Sequence, residues 1–293
     1  MLYSPEDNIV EVKPNLKKEF QFYRLKIAEK TNRNGVIIRE EIIKNIHLTI
    51  KKTVSNGYEY HLEVFDRLHR NRELSLSEKD LIGQIATITD DVKVTVDENL
   101  NFVKIVNFNL IKRKAKQKIQ LLSKKYIGAN ASKLFEKLEH FYKNENLIYN
   151  DLQRYDKYGL LLIKFLGYYR FGLKQKFKVR YTNFLKNTLL EIDENIKMTR
   201  LNRAIEEVEL KLNGVINLEN FNKKMFEREM KGQNIYFDET EDMPKLDEYE
   251  GTFIFNTNTG MLKNSEVNIA FSFGKKYSKE LHYQMMSITH EEI

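Results

Sequence analysis

The sequence feature with the clearest chemical use is a run of positive charge that could bind phosphate. Between Leu110 and Phe135 the chain has no acidic residue, and the basic residues of this run are Lys112, Arg113, Lys114, Lys116, Lys118, Lys124, Lys125 and Lys133. Residues three or four apart share a helix face, so Lys112, Arg113 and Lys116 would form one basic patch. The run therefore predicts binding of a polyanion, either nucleic acid or an anionic lipid headgroup.

A second acid-free tract covers residues 157–190, and its densest part is residues 174–180. An acidic segment, residues 238–250, carries seven acids against one Lys. Segments of opposite charge can pair with each other, so the acidic segment could fold back and neutralise the basic tracts. Alternatively, the basic tracts could be ordinary solvated faces. Both alternatives compete with polyanion binding.

An aromatic segment, residues 159–172, suggests a docking surface for a protein. Its sequence is GLLLIKFLGYYRFG, and it contains Tyr168, Tyr169 and Arg170. Tyr and Arg are enriched in protein–protein interfaces, which favours the docking interpretation. The alternative is a buried central helix, because soluble proteins rarely expose a large apolar patch.

The usual signatures of catalysis are missing. No nucleotide-binding, metalloprotease or serine-hydrolase motif occurs, and the absence of Cys excludes a thiolate nucleophile or ligand. His47 and His61 are out of phase with the apolar residues around them, so we expect them to face solvent, and the sequence names no partners for a metal site. We therefore predict no catalytic residue, no metal and no cofactor. An enzyme whose site is assembled from dispersed Asp, Glu, His and Tyr is the alternative.

These side chains would be positioned first by antiparallel strands. Apolar and polar residues alternate before and after Ser55-Asn56-Gly57. Asn and Gly tolerate the positive φ angles of a type I′ turn, so this pattern predicts a β-hairpin. Near the C-terminus, residues 253–255, 267–273 and 281–285 alternate in the same way and predict a three-stranded meander.

The middle of the chain has helical spacing instead. Leu134, Phe135, Leu138, Phe141 and Tyr142 would share one face of an amphipathic helix. Further helices are predicted through residues 147–156, 160–170 and 218–231. Residues 174–213 fit strands better than a helix, although the Glu residues at 206, 207 and 209 are good helix formers.

Together these patterns predict an α+β fold. Curved antiparallel sheets from the N- and C-terminal β regions would carry a central helical segment packed on one side. The expected regions are 1–109 (β-rich), 110–172 (helical) and 173–293 (α+β, ending in the meander), and they could form a single domain.

The composition permits a folded core and does not identify a ligand. The chain has 293 residues, of which 41% are hydrophobic, so a sizeable core can form. A net charge of +7 fits polyanion binding, but the abundance of Lys, Asn and Ile also fits AT-rich coding. No secretory signal pattern is evident at the N-terminus, and no apolar stretch is long enough for a membrane span. We therefore expect a cytoplasmic protein.

The sequence favours a non-enzymatic binding protein that engages another protein. It could act as an adaptor, as a chaperone for a cargo or as a neutraliser of a toxin, since its features are a β scaffold rich in aromatic residues, separated charges and no catalytic motif. The alternative is binding of nucleic acid or anionic lipid through residues 112–125 and 174–180. The candidate binding residues are Lys112, Arg113, Lys116, Tyr168, Tyr169 and Arg170.

Overall fold

The computed structural model describes residues 9–15, 20–53, 57–71, 75–99, 101–162, 165–185, 188–219, 221–232, 235–236 and 244–292. The strands in these ranges are β1 (Ile9–Val12), β2 (Phe20–Arg33), β3 (Val36–Lys52), β4 (Tyr58–Asn71), β5 (Asp91–Val96), β6 (Phe102–Ile105), β7 (Gly167–Arg170), β8 (Lys174–Leu185), β9 (Thr188–Asn202), β10 (Glu207–Asn217), β11 (Pro244–Asn256), β12 (Leu262–Phe273) and β13 (Tyr277–Ile288). The helices are α1 (Leu76–Ala86), α2 (Phe108–Lys125), α3 (Ala129–Tyr142), α4 (Glu145–Leu152) and α5 (Lys223–Lys231).

Eleven of these strands form one continuous antiparallel sheet. Its spatial order is β6-β5-β4-β3-β2-β13-β12-β11-β10-β9-β8, while β1 and β7 pair separately. Most neighbours in the sheet are also neighbours in the sequence. The exception is the pair of β2 and β13, in which Ile27 lies opposite Tyr283. This pair joins the N-terminal and C-terminal strands into one sheet.

The predicted fold class, α+β with a central helical segment on curved sheets, is wrong. Most of the described residues lie in antiparallel strands, nearly all in the single large sheet. The described residues contain five helices, all of them short. Within the expected helical region 110–172, the last helix ends at Leu152 and Gly167–Arg170 forms a strand. The strands predicted within residues 174–213 are confirmed as β8, β9 and β10, because cross-strand packing outweighs the helix preference of single Glu residues.

Two predictions of strand pairing are confirmed. The expected hairpin is the antiparallel pair of β3 and β4, in which Ile50 lies opposite Tyr60; the turn residues 54–56 lie outside the described residues. The expected C-terminal meander is the run of β11, β12 and β13. In each case, apolar residues at every second position correctly predicted a strand.

Buried side chains define one face of the sheet, which we call the inner face. In β2, Tyr23, Leu25 and Ile27 are buried, whereas Arg24 and Lys26 point to the opposite, outer face. The same alternation places on the inner face of β12 the side chains of Val267, Ile269, Phe271 and Phe273. Burial of these apolar side chains is the main stabilising contribution to the sheet.

The chain itself covers the inner face. The ring of Phe165 stacks on the ring of Phe253, with centroids 3.9 Å apart. Tyr155 contacts Tyr283 edge-on at 5.7 Å, and Phe226 of α5 packs against the aromatic residues of β12 and β13. The chain's own side chains therefore occupy the buried part of the inner face, and an open surface of the sheet has to be sought on the outer face.

Candidate binding groove on the outer face

A groove of about 970 Å³ lies over six adjacent strands, β4, β3, β2, β13, β12 and β11. Ligand sites in proteins commonly have volumes of about 300–1,000 Å³. We call this cavity the outer groove. The outward-pointing side chains that line it are Ala28, Lys30, Ile37, Arg39, Glu41, Arg70, Glu248, Asn268, Ala270, Ser278, Glu280 and His282.

Strand register places one row of these side chains straight across the groove. From β11 to β3, the residues directly opposite one another are Glu248, Ala270, Glu280, Lys30 and Arg39. Neighbouring strands lie about 4.8 Å apart, so the row spans about 19 Å. The methyl side chain of Ala270 leaves a hollow in this charged row, between Glu248 and Glu280.

A second row runs beside the first. It consists of Asn268, His282, Ala28, Glu41 and Arg70, on β12, β13, β2, β3 and β4. His282 Nδ1 lies 2.6 Å from Asn268 Oδ1, so the ring donates a hydrogen bond to the amide oxygen. Ala28, like Ala270, has only a methyl side chain. The two alanines leave space between the longer side chains around them.

Most charges in the groove are neutralised by a neighbour. Lys30 Nζ lies 2.8 Å from Glu280 Oε1. Glu41 accepts from Lys26 at 3.0 Å and pairs with Arg70 at 3.4 Å. The hydrogen bond from Lys26 is the main reason why the pKa of Glu41 lies below its usual value. These pairs connect adjacent strands across the groove.

Two charges at the ends of the first row are different. Arg39 and Glu248 are both exposed. Within the part of the chain that the structure describes, neither side chain has an ion pair or a hydrogen bond. The outer groove therefore presents an available positive charge at the β3 end and an available negative charge at the β11 end.

A second group of ionisable residues lies at the inner face, where Lys44 is buried and Arg154 and Asp156 are half-buried. Lys44 of β3 donates a hydrogen bond to the backbone carbonyl of Asp156, and burial lowers the pKa of Lys44 to about 7. Asp156 accepts two hydrogen bonds from Arg154, at 2.8 and 2.9 Å. Burial opposes ionisation of Asp156, but Arg154, Lys157 and Lys44 together hold its pKa below the usual value. These contacts anchor the segment after α4 to the sheet.

The predicted basic patch lies on α2. Lys112, Arg113 and Lys116 are exposed, and no acid among the described residues pairs with them. Other basic residues of the helix are paired: Lys114 lies 3.7 Å from Asp91, and Lys125 lies 2.7 Å from its partner Asp80. Of the acidic segment, residues 244–250 belong to β11, and residues 238–243 lie outside the described residues.

The predicted aromatic docking residues lie on β7, which pairs with β1. Tyr168 is 67% exposed, and Arg170 is exposed as well. Tyr169 is buried, and its hydroxyl donates to the carbonyl of Phe165 at 3.1 Å. None of the six candidate binding residues is among the residues that line the outer groove.

The groove residues escaped sequence analysis for a simple reason. Polar side chains at alternate positions of a strand are typical of an ordinary solvent-facing surface. The one local signal was the pair of small residues, Ala28 and Ala270, at outward positions between charged neighbours. The groove side chains meet only because six neighbouring strands pair in this register.

Comparisons with known proteins leave the family open. No family model and no curated protein matches the chain. Lipovitellin, in a structure describing its lipid–protein interactions, is 9% identical with a TM-score of 0.46, over 95% of this chain and 26% of that one. An outer membrane channel from Pseudomonas putida F1 is 7% identical with a TM-score of 0.20, over 98% of this chain and 100% of that one. These scores are too low to support an argument about function.

A membrane-spanning helix needs both sufficient length and an apolar sequence. In the described parts of the chain, none of the helices combines the two.

Proposed function

We propose that this chain is a non-enzymatic cytoplasmic protein that binds another protein in the outer groove. The roles that fit are those of an adaptor, a chaperone for a cargo or a neutraliser of a toxin. The observation that carries the proposal is the pair of available, opposite charges, Arg39 and Glu248, at the two ends of one row of side chains.

The groove suggests the chemistry of its partner. A segment that crosses it would place an acidic group near Arg39 and a basic group near Glu248. The row spans about 19 Å, which corresponds to about six residues of extended chain. Complementary charges would mainly steer and orient the partner, since exposed charges contribute more to association rate and specificity than to affinity.

The inner cluster favours a structural role over catalysis. Lys44, Arg154 and Asp156 are partnered within the fold, and they tie a covering segment to the sheet. A catalytic group has to reach its substrate. The partners of these residues within the fold therefore support a structural role for this cluster.

The exposed basic face of α2 supports a second candidate. Lys112, Arg113 and Lys116 have no acidic partner among the described residues, so they are available to the phosphates of nucleic acid or of an anionic lipid. Binding of this kind would weaken steeply with added salt.

Site-specific photocrosslinking tests the groove. We expect a photoreactive phenylalanine at position 37 to form a covalent adduct with one defined partner protein in cells, because Ile37 lines the outer groove and is 48% exposed. Ile205, in the turn between β9 and β10, is the matched control, since it is also an isoleucine and is 51% exposed. Adducts would be separated by mass and identified by mass spectrometry.

The comparison of the two positions decides the result. A partner that is crosslinked from position 37 and not from position 205 would support protein binding in the groove. No adduct from position 37, or the same set of adducts from both positions, would count against it.

A further inference from the structure

We infer that His61, Glu63 and Asp91 form a binding site for a divalent transition-metal ion, with zinc as the best match. His61 and Glu63 lie two residues apart on β4, so both point to the outer face, and Asp91 lies on β5 beside them. One ligand atom from each of the three residues lies within 4.8 Å of the others. The inference does not depend on the proposed protein-binding function.

The distances suit a small ion placed among the three side chains. His61 Nε2 lies 3.0 Å from Asp91 Oδ1 and 3.8 Å from Glu63 Oε1. Zinc binds imidazole nitrogen and carboxylate oxygen at about 2.0–2.2 Å in a tetrahedral arrangement, which separates neighbouring ligand atoms by about 3.3 Å. Only small side-chain movements are needed to reach this arrangement.

Strand register supplies an independent reason for a cation at this place. Glu63 lies directly opposite Asp91 in the pairing of β4 with β5. Like charges directly opposite each other destabilise a sheet. A divalent cation between the two carboxylates would turn this repulsion into attraction, and the two negative charges would balance its charge.

The nitrogen ligand selects the type of metal. Calcium and magnesium prefer sites made entirely of oxygen, whereas imidazole with carboxylates suits zinc and related transition metals. Lys114 does not block the site, because its Nζ lies 3.7 Å from Asp91 Oδ2 and leaves Oδ1 to face His61.

The surroundings leave room for further ligands. A hollow of about 320 Å³ adjoins the site and is lined by His47, Glu63, Asp91 and Lys114, among others. His47 lies opposite Glu63 in the pairing of β3 with β4, and its Nδ1 is 3.5 Å from Glu63 Oε2. Water, or the imidazole of His47, could therefore complete the coordination that three protein ligands leave open.

A simple ion pair is the competing explanation, and the chain offers a control for it. His69, also on β4, contacts Glu40 across the strand pair. In the described ranges no third metal-ligating side chain joins that pair in a cluster. A histidine–carboxylate contact alone should not hold zinc, whereas the set of three should.

The test is titration of the metal-free full-length chain with zinc at about pH 7.5, followed by competition with a chromophoric chelator. We expect one equivalent of zinc to bind. The variants His61→Ala and Asp91→Asn should each weaken binding at least about tenfold, and His69→Ala should leave it unchanged.

Circular dichroism spectra of each variant separate loss of the site from loss of the fold. Absence of a stoichiometric zinc site in the wild type would overturn the inference. So would wild-type affinity in both folded site variants, or an equal loss of affinity in His69→Ala.

Discussion

Replacing Gly159 by alanine is expected to lower the free energy of unfolding by about 3–5 kcal/mol. Gly159 is buried in the segment that covers the inner face. A Cβ atom at this position would overlap the carbonyl oxygen of Gln153 and would lie 2.8 Å from the carbonyl carbon of Arg154. These are backbone atoms, so the clash is relieved only if the covering segment shifts. Urea denaturation followed by circular dichroism measures the change.

Gly83→Ala is the matched control for this substitution. Gly83 lies within α1, and a Cβ atom there would meet nothing within 4 Å. Alanine is the better helix former by about 1 kcal/mol, so this variant should be neutral or slightly more stable than the wild type. If both variants unfolded at the wild-type urea concentration, the described packing of the covering segment would be incorrect.

The second large effect is a dependence of stability on pH that arises from the ionisation of Lys44. We expect the wild-type free energy of unfolding to rise by on the order of 2–3 kcal/mol between about pH 7 and about pH 9.5, and we expect Lys44→Met to remove most of that rise. Lys44 is 7% exposed, and burial lowers its pKa from 10.5 to about 7. Between these two values the unfolded chain holds a proton that the folded chain does not, so stability increases with pH.

The control for this measurement is Lys51→Met, which changes an exposed lysine on the same strand. This variant should keep the wild-type dependence on pH, because Lys51 stays in contact with water in the folded chain whereas Lys44 does not. Parallel curves for the wild type and Lys44→Met would show that Lys44 stays protonated in the folded chain.

Local structure could be predicted where its cause is local. In β13, Leu281, Tyr283 and Met285 alternate with polar residues, and the sequence alone indicates the strand. The pairing of β2 with β13 has no such signal. It joins Ile27 to Tyr283 across nearly the whole chain, and register of this kind follows from burial of one complete face.

The segment after α4 shows a second limit of sequence analysis. Its apolar residues predicted a helix, but α4 ends at Leu152. Tyr155 instead donates to buried Glu194 at 3.1 Å, and Tyr158 donates to the carbonyl of Thr89 at 2.8 Å. These partners lie far away in the sequence, and they hold the segment in a conformation that helical periodicity does not describe.

The candidate sites were missed for the same reason. His61 was expected to face solvent without metal-binding partners, because Asp91 lies on another strand and becomes its neighbour only through the pairing of β4 with β5. Arg39 and Glu248 likewise belong to one row only when five strands are in register. The sequence indicated which residues point outward, and it could not indicate which of them meet.

The decisive measurement is the yield of the adduct from position 37 in two charge-changed backgrounds. One background carries Arg39→Glu with Glu248→Lys, and the other carries Lys112→Glu, Arg113→Glu and Lys116→Glu on α2. If the partner is a protein held in the outer groove, the first background should lower the yield at least about tenfold, or about 1.4 kcal/mol in binding free energy, and the second should leave it unchanged. An unchanged yield in the first background together with a loss in the second would contradict the account and would place the binding surface on the basic helix.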